Sequence, residues 1–262
     1  MFTNQLKETM KKRPVFGMTI YSGSPAIVEA LGIIGFDFAF IDAEHCPWEV
    51  TALREVILAA RLNHVSPLIR VTCPDEIQIR KALEMGAEGV IIPHVRTVED
   101  MKTCVRGAKF PPIGRRGYDG TVRSAGYGYA NYDASKYIEN SNDSELVIPM
   151  AEDFEFMDNI DEIMACPGID AINFGPADFA LSKNIRIFYD VKQPDVQDAM
   201  EKISTYTRKL NIGLMAPAVP PTIENVNTLI ERGVNMLIMG SDMYNYQSTI
   251  SNIYKNVINQ YL

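Results

Sequence analysis

FDFAFIDAE (36–44) and, after a three-residue gap, WEVTALREVILAARLN (48–63) form the pair of segments that indicates the fold. The first segment is a short and nearly continuous apolar run, as expected for a strand that is buried on both faces of a parallel sheet. In the second segment, apolar residues recur at the spacing of an amphipathic helix. A buried strand followed directly by a helix is the repeating unit of α/β folds.

The same strand-and-helix pair recurs along the whole chain. Apolar runs predict eight strands, at VFGMTIY (15–21), FDFAFIDAE (36–44), SPLIRV (66–71), GVIIPHV (89–95), ELVIPMAE (145–152), GIDAINFGPAD (168–178), IGLMAPAV (212–219) and NMLIMGSD (235–242). Eight such units in about 250 residues are typical of a TIM (β/α)8 barrel. We therefore predict a single barrel domain over residues 1–262. A doubly wound open sheet is the alternative, but the chain lacks the GxGxxG turn of that fold.

One long segment interrupts the alternation of strands and helices. Residues 111–144 are rich in glycine and tyrosine and show neither a strand nor a helix pattern. Structureless segments of this length are uncommon inside compact domains. We predict a loop that becomes ordered on a ligand or on a neighbouring subunit, with a solvated surface loop as the alternative.

Composition and charge exclude several classes of function. The net charge is −8 and no basic cluster is present, which argues against a nucleic-acid partner. The chain contains no run of about 18 apolar residues, so we predict no membrane span. The first residues carry lysines without an apolar block, unlike a signal peptide. The cysteines lack CxxC spacing and are expected to be reduced thiols of a cytoplasmic protein; they are Cys46, Cys73, Cys104 and Cys166.

Polar side chains follow most of the predicted strands. In a TIM barrel the carboxyl ends of all strands meet at one mouth, where active sites lie. We therefore expect the following residues to converge there: Asp42, Glu44, His45, Arg70, His94, Glu152, Asp178, Ser241 and Asp242.

The chemistry of these side chains suggests roles. Glu152 and Asp178 could bind a hard divalent cation, because Mg²⁺ and Mn²⁺ prefer oxygen ligands. The alternative is that Glu152 starts a loop and Asp178 caps a helix. The guanidinium of Arg70 could bind a carboxylate or stabilise a developing oxyanion, or else form a structural ion pair.

His45 is the strongest acid/base candidate, because its ordinary pKa lies near neutrality. Asp42 or Glu44 could orient its ring; the alternative is a histidine hydrogen-bonded to backbone. His94 is a weaker candidate in a supporting role. No lysine ends a predicted strand, which argues against a Schiff-base aldolase.

The sequence resembles the HpcH/HpaI aldolase family, whose members are metal-dependent class II pyruvate aldolases. The resemblance spans nearly the whole chain and rests on the stretches GFDFAFIDAEH (35–45), PLIRV (67–71), KALEMGAEGVIIPHV (81–95), KFPPIGRRG (109–117), MAEDFEFMDNIDEI (150–163) and GIDAINFGPADFALS (168–182). It implies a TIM barrel that assembles as a homohexamer, a trimer of dimers, with the C-terminal helix exchanged between subunits.

The resemblance also implies site residues, in four roles. It implies Glu152 and Asp178 as ligands of Mg²⁺ or Mn²⁺, with Co²⁺ as an alternative. It implies His45 as catalytic base with Asp42 as its partner, and Arg70 on the pyruvate side. Glu44 would hold metal-bound water. The expected substrate-binding residues, besides Arg70, are Met150, Gly175, Pro176 and Ala177.

The implied reaction forms or cleaves a carbon–carbon bond between a pyruvate enolate and an aldehyde. Two alternatives share the same enolate chemistry: an oxaloacetate decarboxylase and a bond-forming lyase like macrophomate synthase. A third alternative is a non-enzymatic ligand-binding relative, for which Glu152→Ala would change neither activity nor metal binding.

The chain departs from the family pattern at four places, one of which is the loop Gly117-Tyr118-Asp119-Gly120. Met150 stands where the family usually has glutamine, and Thr19 where it usually has tryptophan. After GPAD, the run continues as FALSKNIRIFYD, which puts Arg186, Phe188 and Tyr189 near the predicted entrance. We expect these differences to alter the aldehyde side of the site and part of the pyruvate site.

Overall fold

Eight parallel strands close into one barrel in chain order, and the last strand pairs with the first. The structure, a computed structural model, describes residues 5–46, 49–129, 131–185 and 193–262. The strands are β1 (Val15–Ile20), β2 (Phe38–Asp42), β3 (Ser66–Arg70), β4 (Gly89–Ile92), β5 (Leu146–Ala151), β6 (Ala171–Phe174), β7 (Gly213–Pro217) and β8 (Met236–Ser241). The prediction of a TIM-type barrel is confirmed, and the open-sheet alternative is wrong.

Helices precede the first strand, connect successive strands and follow the last one. They are α1 (Gln5–Thr9), α2 (Pro25–Ile34), α3 (Val50–Leu62), α4 (Glu76–Glu84), α5 (Val98–Ala108), α6 (Ala134–Ser144), α7 (Phe154–Asp158), α8 (Ile160–Met164), α9 (Pro176–Ser182), α10 (Pro194–Leu210), α11 (Ile223–Glu231) and α12 (Asp242–Asn256). Within the described ranges, no helix is long and apolar enough to cross a membrane. The entrance residues Arg186, Phe188 and Tyr189 lie outside the described residues.

Strand alternation divides the core into an interior and an outer layer. On β2, Phe38 and Phe40 belong to the interior cluster, whereas Ala39 and Ile41 pack toward the helices. Gly17 on β1 makes room for this packing, because a Cβ there would lie 2.2 Å from the Phe38 ring. The two-residue period continues along each strand, so the next interior position at the mouth is occupied by a polar residue on several strands.

The last strand is tied to the first by a carboxylate. Asp242 accepts hydrogen bonds from the backbone N–H groups of Tyr21 and Ser22, each 3.0 Å long. The hydroxyl of Ser241 accepts from Tyr244 N at 3.1 Å and caps α12. Ser241 and Asp242 therefore lie at the carboxyl end of β8, where Asp242 binds the chain after β1 and Ser241 caps α12.

The segment 111–144 is more regular than predicted. It contains 3-10 turns within Arg123–Gly128, interrupted by a kink at Gly126 and Tyr127, and then α6, whose N-terminus is capped by the Asp133 carboxylate. Phe110, Ala125 and Tyr137 form a small core of their own. The expectation of one irregular loop is thus wrong for its second half, because an N-cap and a local aromatic cluster order the segment within the chain.

The last helix contributes almost nothing to the barrel that precedes it. Of the residues of α12, only Asp242 is buried. Its exposed apolar residues recur at helical spacing and continue past its end; they are Ile250, Ile253, Tyr254, Val257 and Ile258. A stripe of this kind is expected to be covered by another surface.

Candidate active site

A cavity of about 350 Å³ opens at the carboxyl ends of the strands. It brings together residues from separate strands, as the barrel rule predicts. Its lining includes most of the predicted site residues, namely His45, Arg70, Met150, Gly175, Pro176, Ala177 and Asp178. Thr19 and Asn173 line it as well.

Arg70 is fixed by carboxylates on two sides of its guanidinium. Its Nε and Nη2 donate to Asp42 Oδ1 and Oδ2, at 2.9 and 2.7 Å. Its Nη1 lies 3.0 Å from Glu44 Oε2. The guanidinium carbon also stands 5.3 Å from the centre of the Phe40 ring. These contacts orient the cation rigidly, because a bidentate pair fixes both direction and distance.

Asp42 shapes the turn after β2 as well as holding Arg70. Its Oδ1 accepts from the backbone N–H groups of Glu44, at 3.0 Å, and His45, at 3.4 Å. The carboxylate is fully buried. It therefore contacts His45 through the main chain. The imidazole itself is mostly exposed, and its Nε2 lies 3.7 Å from Glu44 Oε2.

Glu152 is a buried carboxylate directly after β5. Only 1% of its surface is exposed, and its Oε1 accepts from the backbone N–H of His94 at 2.8 Å. Burial raises the pKa of Glu152 to about 7, the charges of Asp178 and Glu44 act in the same direction, and the N–H and charge of His94 oppose them. Gly175 approaches it so closely that a Cβ there would lie 2.9 Å from Glu152 Cβ.

Asp178 reaches the same region from the first turn of α9. It lines the cavity, and its charge contributes to the raised pKa of Glu152. Among the described residues, the group of potential metal ligands that lie close together does not include Asp178. His94, Glu152 and Asp153 each offer an atom within 4.8 Å of the others.

His94 occupies a more central place than the sequence indicated. Its Nδ1 lies 2.9 Å from Asp153 Oδ2, and its Nε2 lies 3.3 Å from Glu44 Oε1. Burial lowers the pKa of His94, but the hydrogen bond to Asp153 and the charges of Glu152, Asp153 and Glu44 outweigh it and raise that pKa. The residue also has a positive φ of 53°, which few non-glycine residues adopt.

The sequence did not single out Asp153 or Asn173. Asp153 holds the ring of His94 and also binds Arg96, whose Nε lies 3.1 Å from Asp153 Oδ2. The one sign in the sequence that Asp153 belongs to the site was its position directly after Glu152. Asn173 could have been found from strand alternation, since it lies two residues after the interior residue Ala171.

Taken as a set, the mouth carries more carboxylates than fixed cations. The acidic groups are Asp42, Glu44, Glu152, Asp153 and Asp178, and the basic ones are Arg70, His94 and Arg96. A hard divalent cation binds oxygen ligands, and the excess of carboxylates over basic groups at the mouth suits such a cation.

Known proteins match this chain over most of the barrel. The family model described as HpcH/HpaI aldolase/citrate lyase matches residues 16–248. The chain is 32% identical over 227 residues to a 2-dehydro-3,6-dideoxy-6-sulfogluconate aldolase of Pseudomonas putida, covering 87% of this chain and 86% of that one. It is 33% identical over 219 residues to a hydroxypyruvate/pyruvate aldolase of Paraburkholderia phytofirmans strain PsJN, covering 80% and 82%. The solved structure of macrophomate synthase superposes with a TM-score of 0.82 at 25% identity, covering 98% and 88%.

Proposed function

The chain belongs to the HpcH/HpaI aldolase/citrate lyase family, and from this premise we propose that it is a metal-dependent aldolase that joins the enolate of a pyruvate-type 2-oxo acid to an aldehyde, or reverses that step. Its relatives in the family are aldolases, enzymes that act on carbon–carbon bonds. One observation carries the proposal. Asp178 and the fixed cation Arg70 line the cavity, and the buried carboxylate of Glu152 lies close enough to Asp178 for the charge of Asp178 to raise the pKa of Glu152.

The residues at the mouth fit a hard divalent cation. Glu152 and Asp178 offer carboxylate oxygens, and burial disfavours the charge of Glu152 until a cation stands beside it. Mg²⁺ or Mn²⁺ suits such ligands, with Co²⁺ as the alternative. When bound, an ion of this kind supplies Lewis-acid stabilisation of negative charge on the 2-oxo acid.

The chain's own side chains supply the remaining chemistry. Arg70, held by Asp42 and Glu44, presents a fixed positive charge to the carboxylate or the developing oxyanion of the substrate. His45 lines the same cavity, which supports a role for it in taking a proton from the 2-oxo acid or returning it. Glu44 is the carboxylate near the ring of His45, which supports an orienting role for Glu44 as well as for Asp42.

Metal affinity is expected to rise with pH. Because the pKa of Glu152 is raised to about 7, the metal-free protein holds a proton there at lower pH, and proton and cation compete for one carboxylate. Apparent Mn²⁺ affinity should increase by up to about tenfold per pH unit below pH 7 and level off above it. Over the interval from 4.5 to about 7, rising pH should lower the free energy of unfolding of the metal-free protein, since its folded state binds the proton more tightly.

Isothermal titration with Mn²⁺ in buffers from about pH 5.5 to about pH 8.5 measures both the affinity and the protons released. An affinity that stays flat across this range would contradict the assignment of Glu152 as a ligand.

Proton abstraction can be tested before the aldehyde is known. Pyruvate incubated with the enzyme in D₂O should lose its methyl proton signal when Mg²⁺, Mn²⁺ or Co²⁺ is present and keep it when a chelator is added. His45→Asn should slow the exchange. A panel of hydroxylated and acidic aldehydes then identifies the acceptor. A folded enzyme that neither exchanges the methyl protons nor forms a product with any metal would overturn the proposal.

A second candidate is a lyase or synthase that obtains the same enolate by losing CO₂ from oxaloacetate. The structural similarity to macrophomate synthase over 98% of this chain supports this second candidate. The two candidates separate in one experiment. If oxaloacetate loses CO₂ faster than any 4-hydroxy-2-oxo acid releases pyruvate, decarboxylation is the principal activity.

We also propose that the enzyme is a cytoplasmic homohexamer, a trimer of dimers that exchange α12. The support is the exposed apolar stripe of α12, which its own barrel leaves uncovered. Ile253→Asp is expected to dissociate the assembly, because it places a charge in the proposed contact. Asn252→Asp, on the opposite side of the helix, is the matched control. Light scattering measures the mass, and a monomeric wild type would contradict the proposal.

A further inference from the structure

Tyr21 continues the interior series of β1 at the mouth of the barrel. On this strand Val15 belongs to the interior cluster and Thr19 lines the cavity, and Tyr21 follows two residues later. Thr19 pairs in register with Phe40 on β2, and Asp42 follows Phe40 by the same two residues. Tyr21 therefore occupies on β1 the position that Asp42 occupies on β2.

The main chain of Tyr21 is held from two sides. Its N–H donates to Asp242 Oδ1 at 3.0 Å, and its carbonyl oxygen accepts from the thiol of Cys46 at 3.4 Å. The residue is nevertheless 37% exposed and lines the same cavity as His45 and Arg70. Tyr21 is thus anchored through its backbone, while its side chain is accessible to a ligand in the cavity.

Tyr21 and the proposed metal ligand Glu152 stand on opposite sides of the mouth. In the closed barrel of eight strands, β1 lies four strands away from β5, which Glu152 directly follows. A 2-oxo acid held at Glu152 and Asp178 would have the cavity between itself and β1. The second substrate has to reach the enolate through this space, which brings the aldehyde next to Tyr21.

Arg70 offers charge stabilisation to a negative charge on Tyr21. Burial lowers the pKa of Arg70, the hydrogen bond and charge of Asp42 raise it more strongly, and the charges of Glu44 and Tyr21 act in the same direction as Asp42. The attraction between the two groups is mutual, so a phenolate that forms at Tyr21 has a fixed cation nearby. A phenol is also a hydrogen-bond donor that can transfer its proton.

We infer that Tyr21 is a catalytic residue of carbon–carbon bond formation, whose hydroxyl donates its proton to the aldehyde oxygen. This inference rests on the proposed function and assigns a further residue to the same site. The enolate carbon bonds to the carbonyl carbon, the π electron pair of the C=O bond moves to its oxygen, and that oxygen takes the proton of Tyr21. The phenolate then regains a proton from water, and His45 releases to water the proton that it took from the 2-oxo acid. No proton is consumed overall.

Tyr21→Phe removes only the hydroxyl and separates the two halves of the reaction. Enolate formation is followed by the loss of the pyruvate methyl signal in D₂O with Mn²⁺, and bond formation by kcat/KM for the best acceptor of the aldehyde panel. Y21F should exchange the methyl protons within about twofold of the wild-type rate and lower kcat/KM for the aldehyde by about 10²-fold or more, the contribution typical of a general acid.

Tyr206→Phe is the matched control, because the hydroxyl of Tyr206 lies on the outer helix α10 and donates to Asp161 on α8. It should leave both rates unchanged. Normal methyl exchange by Y21F also shows that the variant is folded with its enolate-forming groups in place.

Three results would overturn the inference. Equal losses of both rates in Y21F would show that Tyr21 supports Arg70 or the fold. An unchanged aldehyde rate would show that another group supplies the proton. A wild type that exchanges the methyl protons but adds no aldehyde would leave Tyr21 without this role. A wild type that does neither contradicts the proposed function itself, so the two failures are distinguishable.

Discussion

Replacing Glu152 with glutamine is expected to lower kcat/KM by about 10³-fold or more, because the proposed function makes Glu152 a metal ligand and the metal supplies several kcal/mol of transition-state stabilisation. The amide keeps the size of the side chain and an acceptor for the backbone N–H of His94. It cannot supply the negative charge that a divalent cation needs. The same change should maintain or raise the free energy of unfolding, since burial already disfavours the ionised carboxylate.

Activity, Mn²⁺ affinity and unfolding midpoint, measured on one preparation, separate these effects. Glu162→Gln on α8 is the matched control, because Glu162 is exposed and lies away from the mouth. It should change none of the three quantities. If E152Q retained both metal binding and catalysis, Glu152 would be a structural residue. A non-enzymatic, ligand-binding role for the protein would then gain support.

The fold could be predicted because the deciding information is local. Phe38 and Phe40 face the interior and Ile41 faces the helices, so a two-residue period on a buried strand already places Asp42 inside at the mouth. The same period along β5 carries the interior series from Ile148 through Met150 to Glu152. The positions of the site residues therefore follow from the strand pattern together with the rule that parallel strands share one mouth.

The connections between these side chains could not be predicted in the same way. His94 became central because a left-handed backbone turn, with φ of 53°, aims its N–H at Glu152 and its ring between Glu44 and Asp153. Nothing in a single sequence fixes that turn. Likewise, sequence spacing could not say whether Asp42 contacts the ring of His45 or its backbone, because loop geometry after the strand decides it.

Arg70 and Asp42 form a pair whose energetic importance depends on burial. The guanidinium is 7% exposed and the carboxylate 0%, with a bidentate contact between them. A second bidentate pair, Arg13 with Asp37, lies on the surface with Arg13 53% exposed. Both pairs are bidentate, through Nε and Nη2 of Arg70 and through Nη1 and Nη2 of Arg13, and they differ in burial, so they can be compared. Removing one partner of a buried pair leaves an uncompensated charge, whereas an exposed charge is rehydrated.

Arg70→Met is therefore expected to lower the free energy of unfolding by about 3–5 kcal/mol, and to abolish detectable turnover because the cation that we propose to bind the substrate is lost. Arg13→Met should cost no more than about 1 kcal/mol. In the double variant Asp42→Asn/Arg70→Met, part of the stability should return without activity, because the buried charge is gone while an acceptor remains for the N–H groups of the turn. The free energy of unfolding of each variant is measured by urea denaturation, from the midpoint and the slope of the transition. Equal losses for the two single arginine variants would show that burial does not govern the Arg70–Asp42 pair, and its assignment as the rigid support of the site would fall.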